Sequence, residues 1–120
     1  MTISDALHRL LLDNLTTATI LLNADLRLEY MNPAAEMLLA ISGQRSHGQF
    51  ISELFTESAE ALSSLRQAVE QAHPFTKREA QLTSLTGQSI TVDYAVTPIL
   101  HQGQTLLLLE QRQQRGKLEQ

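Results

Sequence analysis

The chain of 120 residues contains no cysteine and no tryptophan, and only two tyrosines and three phenylalanines. Without cysteine it has no disulfide, no thiolate metal site, no iron–sulfur cluster and no cysteine nucleophile. An excess of positive charge is also missing. Nine Lys and Arg stand against thirteen Asp and Glu, and the bases are scattered along a chain of net charge −4. The long-range field that draws a protein onto phosphate backbones is therefore lacking, and nucleic acid is not an expected partner. Apolar runs such as Ile20–Leu22 and Leu106–Leu109 are far too short to span a bilayer. The opening Met1-Thr2-Ile3-Ser4-Asp5 carries an acid where a secretory signal carries bases, so the expectation is a cytoplasmic protein with no membrane association.

What is present is enough apolar residue for one hydrophobic core, 42% of the chain, at a length where two independent cores rarely form. One folded domain is expected. No period of the kind that marks repeat architectures is visible, and the polar stretch Gln111 to Gln120 reads as a linker.

Thr2-Ile3-Ser4-Asp5 places an oxygen-bearing cap three residues before an acid, which predicts a helix from about Ile3 to Asn14. Its apolar residues Ile3, Leu7, Leu10, Leu11 and Leu15 recur at three- and four-residue steps, and Ala6 and Leu12 widen the stripe beyond one narrow face. The texture then changes to a strand over Thr17–Asn23, a turn at Ala24-Asp25, and a second strand over Leu26–Met31. Asn32 is placed to cap a helix through its side-chain oxygen. Pro33 follows at the first helical position, where its missing donor costs nothing. That helix runs to about Ala40 and ends at Ser42-Gly43, and single helical turns fill the stretch to Phe55.

A longer helix is predicted after the cap Thr56 and the acid Glu57, burying Ala61, Leu62, Leu65, Ala68, Val69 and Ala72 and stopping before Pro74. Three strands complete the chain at Phe75–Ser84, Gln88–Leu100 and Thr105 to about Arg112. In the middle one Ile90, Val92, Tyr94 and Val96 alternate with Thr91, Asp93, Ala95 and Thr97. Leu106–Leu109 is apolar on both faces, so its outer face needs a cover, and the N-terminal helix of the same or a partner chain is the candidate. The whole is α+β, a five-stranded antiparallel sheet with helices gathered on one face plus an N-terminal amphipathic helix.

This order of elements resembles the PAS family. The most specific stretch is Asn23-Ala-Asp-Leu-Arg-Leu-Glu-Tyr-Met-Asn-Pro-Ala-Ala-Glu36, similar to that family's first hairpin and its Asn-Pro-Ala-Ala helix start. The resemblance runs from about Leu11 to Arg112. Within the family the leader Leu12 to Leu22, the strand opening Pro74-Phe-Thr-Lys-Arg-Glu79 and the closing Leu106-Leu-Leu-Leu-Glu110 look like the N-terminal domain of the nitrogen-regulation histidine kinases of the NtrB type.

The broad apolar stripe of the first helix together with that resemblance gives the expected division into an N-terminal dimerisation helix (1–14), a PAS domain (15–112) and a linker toward a kinase core (113–120). The resemblance also implies a non-catalytic sensory module, a homodimer, and indirect partnership with the PII signal protein and the response regulator NtrC. Leu7, Leu10 and Leu11 are the candidate dimer contacts. Many PAS domains end in Asp-Ile-Thr, a junction that passes signal onward, and this chain has Glu110-Gln111-Arg112 there, which makes Glu110 a candidate junction in acid type only. The alternative is a small-ligand-sensing PAS domain of another signalling protein or transcriptional regulator.

Chemistry-bearing patterns are scarce. His8, His47, His73 and His101 stand far apart, none in a metal-binding spacing, so neither metal nor cofactor is expected. Haem-binding relatives place a histidine inside the long helix, whereas His73 lies at its exit. Flavin photochemistry in the family uses a reactive cysteine, and few rings are present to stack on a noncovalent flavin. Glu57, Glu60, Glu70 and Glu79 read as helix-start or surface charges. Asp93, mid-strand between Val92 and Tyr94, is expected either to pair with Lys77 or Arg78 on the neighbouring strand or to face the pocket as a ligand contact.

Overall fold

The computed structural model describes residues 5–114. The capping pattern that begins at Thr2, Ile3 at the start of the predicted helix, and linker positions 115–120 lie outside the described residues.

The first helix, α1, spans Asp5–Asp13. At its end Asn14 donates to the Leu10 carbonyl twice, through its backbone N–H at 3.2 Å and its side-chain amide at 2.9 Å. Strands β1 (Ala18–Leu22) and β2 (Leu28–Met31) form the first hairpin. Its turn is longer than the predicted Ala24-Asp25, because Asn23 Oδ1 accepts from the backbone N–H of both Asp25 and Arg27. Leu26 enters the left-handed region at φ 64, and burial of its side chain, 3% exposed, offsets that strain.

Helix α2 (Pro33–Leu39) carries Pro33 at its start and ends at Ala40 in a left-handed conformation. Ser42-Gly43, predicted to end α2, instead opens α3 (Gly43–Ser46), whose first turn is capped by the Ser42 hydroxyl. Glycine is required at 43 because a Cβ there would stand 2.6 Å from Met31 Cγ. A single 3-10 turn, Ile51–Glu53, leads into the two-residue strand β3 (Phe55–Thr56).

Thr56 therefore does not cap the long helix; it belongs to β3, and its hydroxyl reaches the Thr83 carbonyl. The long helix α4 (Ala59–Gln71) has Ser58 at its cap position. It buries Ala61, Leu65 and Ala68, while Ala72 lies past the helix in the left-handed region at φ 54 and is exposed. Strands β4 (Phe75–Ser84), β5 (Ser89–His101) and β6 (Gln104–Gln113) follow; Gln111–Gln113, read from their polarity as the start of the linker, are strand instead, because they pair with Val92–Tyr94 of β5.

The sheet has six strands in the order β2-β1-β6-β5-β4-β3, all antiparallel. The sixth is β3, which borrows the backbone of Thr83 and Ser84 at the β4 edge; two residues are too few to show alternation in sequence. Ile20, Leu22, Leu28, Leu82, Val92, Val96 and Leu107 fill the inner face almost without exposure, and α2 and α4 belong to this side with Ala35, Leu39, Leu65 and Ala68.

Both sheet edges are modified. At β2, the backbone of Leu28 exchanges hydrogen bonds with Gly48 and Gln49, and the Arg27 guanidinium stacks 3.8 Å above the Phe50 ring. At β4, the register shifts between Lys77 and Ala80, with Glu79 at φ 57. That bulge is held by Asp93 Oδ1, which accepts from the Glu79 N–H at 2.9 Å.

Candidate functional site

The outer face of the sheet is assembled from register. Leu108 of β6 lies between Leu21 of β1 and Thr97 of β5, Leu106 lies beside Ile99, and Tyr30 of β2 extends the row past Leu21. Leu21, Leu106 and Leu108 are half-buried and Ile99 is exposed, whereas Leu107 and Leu109 on the inner side are closed off. Glu110, the candidate signal junction, sits exposed in the next outer row between Thr19 and Ala95.

Helix α1 meets this face at one end. The Tyr30 hydroxyl donates to Asp13 Oδ1 at 2.5 Å, and the Asn32 amide donates to the Leu12 carbonyl at 3.3 Å. Along its length Leu7, Leu10 and Leu11 stay 42, 57 and 56% exposed. The three candidate interface residues thus share one helix and are uncovered within a single copy.

Asn32 is wholly buried. Its oxygen accepts from Ala35 N, capping α2 ahead of Pro33, and also from Thr19 N, both at 2.9 Å. Its nitrogen donates to the carbonyls of Thr17 and Leu12. Capping was legible in the Asn-Pro pair; the bond into β1, the one to Thr17 just before it and the one into α1 carried no sequence signal, because they join positions remote along the chain.

A second polar cluster stands where the chain enters α4. Glu57 accepts from Lys77 Nζ at 2.7 Å and from the Tyr94 hydroxyl at 3.1 Å, with only 11% of its side chain exposed. Burial first, and then the Glu57 charge and hydrogen bond, push the Tyr94 hydroxyl well above the ordinary tyrosine range. The partner of Lys77 is thus Glu57, and Asp93 pairs with neither Lys77 nor Arg78. Asp93 Oδ1 instead takes the Glu79 N–H and the Gln114 side-chain amide, because the bulge turns a backbone donor toward it. Beside Glu57 lies a cavity of about 140 Å³ lined by Ile51, Phe55, Ala61, Leu62 and Leu65.

His73 and His101 are exposed, and His47 lies 3.9 Å from Glu29 at the surface. Among the described residues no group of three or more His, Asp or Glu is arranged to hold a metal, and no helix is long and apolar enough to cross a membrane.

A sheet packed by helices on its inner face, with an apolar outer face left open and a helix hinged at its rim, defines an α+β module of the PAS class. The chain belongs to the PAS fold family, whose model matches residues 6–111.

It is 32% identical over 102 residues to the sensory histidine kinase/phosphatase NtrB of Vibrio alginolyticus, covering 85% of this chain and 29% of that protein. The chain thus spans less than a third of the length of that relative. The crystal structure of the PAS domain of nitrogen regulation protein NR(II) from Vibrio parahaemolyticus is 31% identical, with a TM-score of 0.76, over 90% of this chain and 98% of that one. The PAS domain of an HTR-like protein from Haloarcula marismortui shares the fold, with a TM-score of 0.74 at 15% identity over 91% of this chain and 90% of that one.

Proposed function

We propose that this domain is the non-catalytic sensory and dimerising module of a cytoplasmic two-component histidine kinase of the NtrB kind, which controls nitrogen-regulated transcription by phosphorylating NtrC. The observation that carries the dimer is the uncovered leucine row Leu7, Leu10 and Leu11, set at the rim of an outer face that presents Leu21, Leu106 and Leu108. These side chains are already about half buried, so covering each one contributes about 1 kcal/mol, and the sum over the surface must exceed the cost of association. The likeness to the NR(II) domain supports the kinase context. In this reading residues 1–14 pair the two copies, 15–112 form the sensory body and 113–120 lead to the kinase core. Glu110 lies on the strand that leaves toward that core. PII and NtrC act on the parent protein and touch this domain only indirectly.

The test is sedimentation equilibrium of the wild type against the double variant Leu7→Glu, Leu10→Glu. The wild type should sediment as a dimer, and the variant as a monomer with unchanged circular dichroism, because four like charges then face one another in the seam. A variant that stays fully dimeric removes α1 from the interface.

The cavity beside Glu57 supports a second reading, a sensor of a small apolar molecule. Its volume of about 140 Å³ approaches that of engineered cavities that hold benzene. Benzene or indole should raise the melting temperature of the wild type and not that of Ala61→Leu, whose added atoms fill the space. Equal melting temperatures with and without either compound would discard this reading.

A further inference from the structure

The carboxamide of Asn32 is planar and rigid, and it has two acceptor and two donor positions. All four are used, and they lead to three different elements. The oxygen holds Ala35 N at the start of α2 and Thr19 N in β1; the nitrogen holds Thr17 O before β1 and Leu12 O in the last turn of α1. Close by, the Tyr30 hydroxyl donates to Asp13 near the end of α1. Leu10 and Leu11 farther along stay 57 and 56% exposed, so the burial they contribute within one copy is incomplete and the polar contacts at the end of the helix weigh more in fixing its direction.

We propose that Asn32 and Tyr30 form a releasable clasp that sets the direction in which α1 leaves the sheet, separately from the capping of α2 by the same Asn32 side chain. The clasp has a docked state, seen here, and a released state in which the Leu12 carbonyl and the Asp13 carboxylate turn to water while the cap of α2 remains. Asn32 and Tyr30 are positioning residues: they act on α1 and touch no substrate. The inference stands whether or not two copies pair through α1.

Asn32→Asp separates the two duties of the side chain. Aspartate caps a helix as well as asparagine does, so Ala35 N and Thr19 N keep an acceptor. It has no donor for Leu12 O or Thr17 O and turns a carboxylate oxygen toward both. Tyr30→Phe removes the other fastening and leaves Asn32 intact. Amide hydrogen exchange at neutral pH reads both variants, at protein concentrations below and above dimer formation so that burial in a seam is distinguished from release of the clasp.

The expected result for Asn32→Asp is exchange at least about ten-fold faster at the amides of residues 10–14, since the donor to Leu12 is lost and a carboxylate faces its carbonyl, with Ala35 and Glu36 accelerated much less. Tyr30→Phe should accelerate the same α1 amides about three-fold and leave α2 unchanged. The clasp is overturned if Tyr30→Phe leaves α1 exchange as in the wild type, or if folded Asn32→Asp accelerates α1 and α2 by the same factor. Should Asn32→Asp fail to fold, the Tyr30→Phe result decides alone.

Discussion

Helices α1 and α4 carry the same kind of pattern and meet different fates. Each has apolar residues at three- and four-residue steps, and each is tied to the sheet at one end by polar groups, α4 where the chain enters it through Glu57 with Lys77 and Tyr94, α1 at its exit through Asn32 and Tyr30. Beyond the tie, α4 sinks Ala61, Leu65 and Ala68 into the core, while α1 keeps its leucines at the surface. An amphipathic stripe states that a face needs covering and leaves open what covers it. For α4 the cover is the inner face of β5 and β6 in the same copy. For α1 Leu10 and Leu11 remain more than half exposed, which is why the proposed dimer rests on α1.

The contrast is most sharply tested by truncating one leucine from each helix. Leu65→Ala should cost about 2–5 kcal/mol in denaturant unfolding, since a closed core cannot collapse fully around the missing atoms. A loss under about 1 kcal/mol would show that α4 is held by its polar tie and not by burial.

The tie itself has a pH signature. The folded state raises the Tyr94 pKa above the ordinary 10.0, so the unfolded chain releases this proton first. Its contribution to stability is complete below pH 10 and is lost as pH rises toward the folded pKa, by about 1.4 kcal/mol per pH unit. Tyr94→Phe should flatten this alkaline fall, measured as denaturant midpoints between pH 9 and 11; an unchanged slope would separate Tyr94 from the anchoring of α4. The smallest effect belongs to Leu10→Ala, which at concentrations favouring monomer should change stability by less than about 0.5 kcal/mol. A core-sized loss there would erase the difference between the two helices.

Legibility followed the range of the interaction. Strand β4 was placed to the residue and β5 to within one, because alternation and the turns at Gly87 and Gly103 are local signals. The Asn-Pro start of α2 was equally plain. Two misplaced features had local causes, the Asn23 turn and the Ser42 cap of α3; those at the candidate site depend on distant partners. Thr56 and Glu57 look like the opening of a helix, yet Thr83 draws Thr56 into a strand and Lys77 and Tyr94 draw Glu57 into an ion pair. Asp93 looked for a base and found a backbone donor, because the bulge at Glu79 is invisible without the register. Of the candidate site, the leucines of α1 were readable as unsatisfied surface, whereas the reach of Asn32 into three elements required the fold.

The treatment of the two sheet edges limits what kinds of assembly this domain can enter. One margin is already bonded to the loop at Gly48 and Gln49; the other is kinked, charged by Lys77, Arg78 and Glu79, and blocked at its end by β3. Neither offers a straight ladder to a passing strand, so growth of the sheet from molecule to molecule, the route to fibres, is closed at both margins. What remains adhesive is a face, and a face that meets its own copy about a twofold axis is used up in the meeting. In the proposed dimer, association would therefore end at two subunits, with neither sheet edge left free to recruit a third.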